Sequence, residues 1–282
     1  MKYKAIALGI VIAAARFLYK EDKDLVVDSR TITHKNIPES FDGYKLVHVS
    51  DFHNAYFGRR SKHLLKLIEA QKGDVILMTG DIIDRRTPNL KRAVHFIGGM
   101  TRILPTYYIT GNHEAHYKRW PKLKEAIVNS EMVRLDNQMI QLERNGSSIN
   151  LAGINDPWFF GHEDDPFVFQ RFKMQLVEMV KKAVEDDSFT ILMSHRPELF
   201  SMYRTMPVDL VLSGHAHGGQ IRLPFVKGLY APHQGVLPKY TEGIHESSGT
   251  TLSISRGLGN SRFPFRVFNH PEIVVITLKK RN

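Results

Sequence analysis

The chain reads as an α/β protein, a layered α/β/β/α sandwich of two mixed sheets flanked by helices. Three observations lead there. Apolar, strand-like runs alternate with helix-patterned stretches over the first half of the chain, and after residue 189 short strands separated by turns take over. Alternation followed by strand-rich sequence suits two packed sheets better than one doubly wound sheet. The third observation is that successive strand runs stop at a residue of metal-binding type, as if delivering it to one edge of a sheet.

In order, a charged connector after residue 20 leads to an edge strand at 25–33, with Pro38 and Gly43 punctuating the approach to the first core strand. The strand at 45–50 is followed by a helix near 61–71, a strand at 75–79, a helix near 89–98, a strand at 106–110, a helix near 121–129 and a strand at 148–152. Phe169, Phe172, Met174, Leu176, Val177, Val180 and Val184 fall largely on one face of a helix spanning 168–184. Residues 155–167, with Pro157, Trp158, Phe159, Phe160 and an acidic run at 163–165, read as a solvated insertion loop beside the strand ends. Strands then follow at 189–194, 210–213, 219–223, 250–255 and 273–278. The domains expected are residues 1–20 as an anchor or signal-like segment, 21–43 as connector and edge strand, and 44–282 as one catalytic domain.

Composition narrows the chemistry. With no cysteine, disulfides, thiolate metal sites and a cysteine nucleophile are all excluded. A net charge of +10 favours an anionic partner such as a phosphoester or an acidic lipid surface. Arg59-Arg60, Arg85-Arg86 and Lys279-Lys280-Arg281 are too short to be nucleic-acid tails, and no aromatic-basic strip for a strand is evident, so no specific nucleic-acid partner is expected. At the N-terminus, Lys2 and Lys4 precede an apolar run over 5–15. That run is short against the ~20 residues a spanning helix needs, and it resembles the core of a signal peptide or an anchor, with small residues at Ala13-Ala14-Ala15. The expectation is a membrane surface contact through residues 5–19. The catalytic domain would lie outside the cytoplasm at a bacterial cell membrane, the alternatives being the cytoplasmic face or secretion.

The residues at the strand ends carry the chemistry. They are Asp51 and His53, Asp81, Asn112 and His113, His195, and His215 and His217. Two divalent ions close together need a ligand that reaches both, and a carboxylate can do so, which makes Asp81 the candidate bridge. Asp51 adds charge to one ion and Asn112 a neutral carbonyl oxygen to the other, while four imidazoles complete the shells. Such a nitrogen and oxygen set suits manganese, iron or zinc. Gly80, Gly111 and Gly214 let the backbone turn where a strand hands over its ligand. His48, inside an apolar strand, reads as a core residue, and His116, His162, His233, His245 and His270 as surface or loop residues.

With these motifs in place the chain resembles the calcineurin-like metallophosphoesterase superfamily over roughly residues 44–278. The family's D-x-H, GD, GNH(E/D), H and GHxH appear as Asp51-Phe52-His53, Gly80-Asp81, Gly111-Asn112-His113-Glu114, His195 and Gly214-His215-Ala216-His217. The stretches at 218–224 and 255–261 are similar to a bacterial branch of membrane-associated phosphodiesterases and relatives of UDP-2,3-diacylglucosamine pyrophosphatase. The resemblance implies one ion on Asp51, His53, Asp81 and His217 and a second on Asp81, Asn112, His195 and His215. It implies in-line attack by a metal-bridging hydroxide on a phosphodiester or diphosphate, and the branch points to a membrane or nucleotide-linked substrate. His113 would assist the leaving group, with Glu114 orienting it, and Arg222, Arg256 and Arg262 are candidates for clamping phosphate. The alternatives are a phosphomonoesterase or nuclease of the same superfamily, or a scaffold that keeps the fold without catalysis. Oligomeric state has no signature in the sequence.

Overall fold

In the computed structural model, which describes every residue except Met1, Lys182, 184–186, Pro224, Arg262 and Asn282, the two mixed sheets are present with six strands each. The first sheet contains Val26–His34 (β1), Lys45–Val49 (β2), Val75–Met78 (β3), Thr106–Tyr108 (β4), Val133–Arg134 (β5) and the last strand, Glu272–Lys280. Its order is β1, the last strand, β2, β3, β4, β5, with the last strand antiparallel to β2 and every other neighbour pair parallel. The second sheet contains Gln138–Arg144 (β6), Ser147–Gly153 (β7), Thr190–Met193 (β8), Leu210–Ser213 (β9), Gly243–Ser247 and Thr250–Ile254. There the four central strands are parallel and each edge strand pairs antiparallel.

Strand alternation sorts side chains into layers. From the first sheet Leu46, Val75, Leu77, Val274 and Ile276 face Ile149, Leu151, Ile191, Met193, Leu210 and Leu212 of the second, forming the inter-sheet core. Val47, Val49, Ile76 and Met78 point the other way, onto the helices Lys62–Ala70 and Leu90–Thr101, which offer Leu64, Ile68, Phe96 and Ile97. Apolar spacings of three and four residues are the reason these segments are helices. On the far side Phe172, Leu176, Met179 and Val180 of the helix Val168–Val180 cover Ala152, Leu192, Val211 and Leu252. Val184, expected within that helix, lies outside the described residues.

Three expectations change. The strand expected at 219–223 is mostly absent, because Gly218 and Gly219 hold left-handed backbone angles that curl His217–Gly219 into a 3₁₀ turn, leaving Arg222–Leu223 as a two-residue strand. The edge strand β6 was not expected at all, although Asn145-Gly146, both at positive φ, is the two-residue signal of the hairpin joining it to β7. Finally, residues 20–23 are not connector: a single helix runs Lys2–Lys23 (the N-terminal helix), since nothing in Lys20-Glu21-Asp22-Lys23 breaks it. Residues 2–16 of this helix are exposed, including Ile6, Leu8, Ile10, Val11 and Ile12. Among the described residues no helix is long and apolar enough to cross a membrane.

Candidate metal centre

The strand-end residues converge from both sheets. Asp51 and His53 follow β2, Asp81 follows β3, Asn112 and His113 follow β4, His195 follows β8, and His215 and His217 follow β9. Asp51, His53, Asp81, His215 and His217 all hold positive φ, between 44° and 65°. Left-handed conformations cost non-glycine residues energy and collect where a site over-determines the backbone. Here the loops also brace one another, since His53 N–H donates to Asp81 O at 2.9 Å and Asp51 N–H to Gly80 O at 3.1 Å. The glycines therefore act differently from expectation. Gly80 does turn, at φ 93°, but Gly111 and Gly214 are needed for proximity: a Cβ at Gly111 would strike the Asp81 carboxylate, and one at Gly214 would strike Ser50 Oγ and the Asp51 carboxylate.

Among the described residues ligand-type atoms gather in three groups, one of which, His53 with Asp84 and His113, shares His53 with the first of the two sets made of expected ligands. Of those two, Asp51, His53 and His217 form the first and Asp81, His195 and His215 the second, each with its ligand atoms within 4.8 Å of one another. Asp81 Oδ2 lies 3.4 Å from His53 Nε2 and 3.3 Å from His195 Nε2, so this one oxygen faces both sets. Asp81 Oδ1 is occupied elsewhere, accepting the His113 N–H at 2.8 Å. Asn112 Oδ1 sits 3.2 Å from His195 Nε2, and His215 Nδ1 is also 3.2 Å from that nitrogen. Across the other set, His53 Nε2 and His217 Nε2 are 3.2 Å apart.

The outer ring nitrogens settle what the inner ones present. His195 Nδ1–H donates to Thr79 O at 2.7 Å and His217 Nδ1–H to Gly259 O at 3.2 Å, leaving each Nε2 with a lone pair aimed inward. Inward-aimed lone pairs in contact repel unless a cation or proton lies between them, so the donor set fits divalent ions. Asp51 is held in turn by a relay: Thr79 Oγ1 donates to Ser50 Oγ, Ser50 Oγ donates to Asp51 Oδ2 at 2.6 Å, and His48 Nε2 meets Thr79 Oγ1 at 2.8 Å. His48 is thus a buried core residue, its pKa pushed down to about 3 chiefly by burial.

Metal-free, the centre is strongly polarised. Burial alone would raise the carboxyls of Asp51 and Asp81, yet the surrounding imidazoles hold both well below the usual carboxylate range. Burial likewise opposes charge on His195, but Asp81 overrides it and lifts the imidazole to about 10. His217 goes the other way, to about 3, because burial outweighs the attraction of Asp51.

Glu114 does not orient His113. Its carboxylate accepts the N–H groups of Gly111 at 2.7 Å, Asp81 at 2.8 Å and Ile83 at 3.2 Å, tying together the two loops that carry Asp81 and Asn112. His113 is placed instead by Arg85, whose N–H donates to Nδ1 at 3.1 Å, and by Asp84, whose Oδ1 lies 3.4 Å from the same nitrogen. Burial tends to raise Asp84, but the His113 ring beside it and hydrogen bonds from Arg86 N–H and Thr87 Oγ1–H hold it well below the usual range.

A cavity of about 250 Å³ opens on Asp81, Asn112, His113, His215 and His217, with Arg85, Arg86, Glu163, Tyr230 and His233 around it. Of the arginines expected to clamp phosphate, neither Arg222 nor Arg256 lines it. Arg222 is engaged by Glu242 and Gly218 O, and Arg256 by Glu272 at 2.6 Å, both as structural anchors, while Arg262 lies outside the described residues. Trp158 packs over Arg196 and Phe159 over Trp120, so these aromatics are loop packing. Four residues near the centre escaped the sequence reading. Asp84 stands three positions beyond Asp81, a spacing that offered a signal. Glu198, 3.8 Å from His215 Nε2, and His233, stacked on His215 at 5.4 Å, carried none, nor did Arg196, which forms a fully buried ion pair with Asp156 directly after His195.

Comparison with known proteins agrees with this geometry. Residues 44–219 match the family model described as calcineurin-like phosphoesterase. The metallophosphoesterase YkuE of Bacillus subtilis (strain 168) is 32% identical over 292 residues, covering 99% of this chain and 96% of that protein. A transmembrane protein with metallophosphoesterase domain from Danio rerio is 26% identical over 99% of this chain and 63% of its own length. Among solved structures, a dimetal phosphatase from Danio rerio superposes with a TM-score of 0.51 at 13% identity, covering 77% of this chain and 88% of the other. The TT1561 protein of Thermus thermophilus gives the same TM-score at 12% identity, over 76% and 90%. At such identities the superpositions speak for the fold alone. The convergent Asp and His ligands, the two-sheet sandwich that delivers them and the matched family model make this chain a member of the calcineurin-like phosphoesterases, metal-dependent hydrolases of phosphoesters.

Proposed function

We propose that the protein is a dinuclear-metal phosphodiesterase, cleaving a phosphodiester or diphosphate bond by in-line displacement. The observation that carries this reading is Asp81 Oδ2, placed 3.4 Å and 3.3 Å from imidazole nitrogens of the two ligand sets. On it, Asp51, His53, Asp81 and His217 would hold one ion, and Asp81, Asn112, His195 and His215 the other. Two divalent ions there, manganese, iron or zinc, would supply a water of lowered pKa and offset charge on the phosphoryl oxygens.

The chain's own residues do the rest. Because Arg85 N–H donates to His113 Nδ1, the neutral ring carries its proton on Nε2. His113 then turns its Nε2–H to the departing oxygen as a hydrogen-bond donor that offsets the charge developing there. Glu114 keeps the Asp81 and Asn112 loops in register, and Arg85 and Arg86 attract the anionic substrate. A diester has an arm on each side of phosphorus. A neighbouring cavity of about 430 Å³, which shares Arg86 and Ser261 with the first, reaches His53 and Asp84 and is lined also by Tyr56, Arg92 and Phe263, room that supports two-armed substrates over monoesters. The exposed apolar residues of the N-terminal helix support attachment to a membrane surface, and Lys2 and Lys4 ahead of them favour an inside N-terminus and hence a catalytic domain outside the cytoplasm.

The test is hydrolysis of bis-p-nitrophenyl phosphate against p-nitrophenyl phosphate by the full chain, metal-free and with manganese, zinc or iron, with Asp81→Ala as control. Metal-dependent diester cleavage absent from Asp81→Ala is expected. Preference for the monoester would overturn the diesterase reading. Co-sedimentation with vesicles of anionic lipid tests attachment, and a chain that stays in the supernatant would refute it.

A further inference from the structure

The C-terminal turn of the N-terminal helix reaches the metal centre. Glu21, at 5% exposure, is its buried residue. It accepts the Asn269 N–H at 2.9 Å, and Asn269 Nδ2 donates onward to His217 O at 2.8 Å and Gln220 O at 2.9 Å. Next to it, Asp22 accepts the Arg266 N–H at 2.9 Å, and both of its oxygens accept from Asn260 Nδ2, at 3.1 Å and 2.9 Å. The fully buried Arg266 guanidinium spans this loop and donates to Gly259 O at 2.5 Å and Arg256 O at 3.0 Å. Gly259 O is the same carbonyl that takes the His217 Nδ1–H. Two carboxylates at a helix C-terminus oppose the helix dipole, so their place is explained by these partners and not by the helix.

From this geometry we infer that Glu21 and Asp22 are positioning residues for His217. They fix its backbone through Asn269 and its outer ring nitrogen through Arg266 and Gly259. The inference rests on the reading of His217 as a metal ligand. Through this clamp the otherwise exposed N-terminal helix and the ion held by Asp51, His53 and His217 form one mechanical unit, and displacing the helix loosens that ion first.

The experiment uses the full chain carrying Glu21→Ala with Asp22→Ala, and Glu21→Gln with Asp22→Asn as the conservative pair. Lys20→Ala serves as a helix control. Metal content after equilibration with buffered Mn²⁺ is expected to fall from two ions to one in the alanine pair. The affinity for the lost ion should drop about 10–100-fold, the range for outer-shell partners of a ligand, and the amide pair should recover most of it. Hydrogen exchange of the metal-free protein should rise over 214–220 and 256–260 in the alanine pair while strands β8 and β9 stay protected. Two ions bound within twofold of the parent affinity, or unchanged exchange over 214–220, would overturn the inference, as would equal loss of both ions. Failure of the phosphodiesterase reading shows up separately, as two bound ions without diester turnover.

Discussion

Arg196 and Asp156 offer a quantitative test of how the loops around His195 are held. Arg196 Nε lies 2.7 Å from Asp156 Oδ2 and Nη2 lies 3.0 Å from Oδ1, with both side chains at 0% exposure. The Trp158 ring centroid is 4.5 Å from the guanidinium, so water has no access on that side. Removing Arg196 strands the Asp156 charge, at a cost of about 3–5 kcal/mol, and removing Asp156 leaves the guanidinium only Glu198, 3.7 Å away. Replacing the pair with apolar residues of similar volume is close to neutral, because Glu198, already lifted to about 7 by burial, can take up a proton. Unfolding entropy of about 2.1 cal/mol/K per residue gives roughly 0.6 kcal/mol/K for a chain of this length, so Asp156→Leu or Arg196→Met alone should lower Tm by about 5–8 °C. The double variant should recover to within about 2 °C of the parent. Scanning calorimetry on the metal-free protein reads this without ligand linkage. Single variants that move Tm by less than 2 °C, or a double variant as unstable as the sum of the singles, would refute the argument that burial of an unpaired charge dominates.

Three further outcomes are expected. His113→Ala should retain both ions while losing about 10²–10⁴-fold in kcat, most for poor leaving groups, and a parallel loss of metal by elemental analysis would make it a ligand. Gly111→Ala, whose Cβ would displace the Asp81 carboxylate, should abolish two-ion binding with the circular dichroism spectrum kept, and normal stoichiometry would show the loop yields easily. His195, raised to about 10 when metal-free, binds its proton more tightly in the native state than in the unfolded chain and so favours folding when protonated. Its contribution is full below about pH 6.5 and lost as pH rises toward 10, so the parent's urea midpoint should fall over that window more steeply than that of His195→Gln.

What the sequence revealed and what it hid divide along physical lines. The candidate ligands could be picked out because each follows a strand, and a strand end is a local property of the chain. Their partners could not. Glu198 meets His215, His233 stacks on it, and Glu21 reaches His217 through Asn269, all by contacts between segments far apart in sequence. The arginines misled for a related reason: Arg222 and Arg256 look free in sequence, but Glu242 and Glu272 neutralise them after folding. The turning role assigned to Gly111 and Gly214 failed because the ligands themselves adopt left-handed angles, a cost that no propensity anticipates.

The placement of Glu272–Lys280 between β1 and β2 bears on how the protein is made. Its partners leave the ribosome more than two hundred residues before it does, so both wait with open hydrogen-bonding edges until residues 272–280 have been made. Such edges recruit other chains, and pairings this distant in sequence form slowly. The strand carrying Asp51 thus acquires its final neighbour last, and nascent chains stalled before residue 272 should be protease-sensitive and in need of chaperones, unable to retain metal however complete their ligand set.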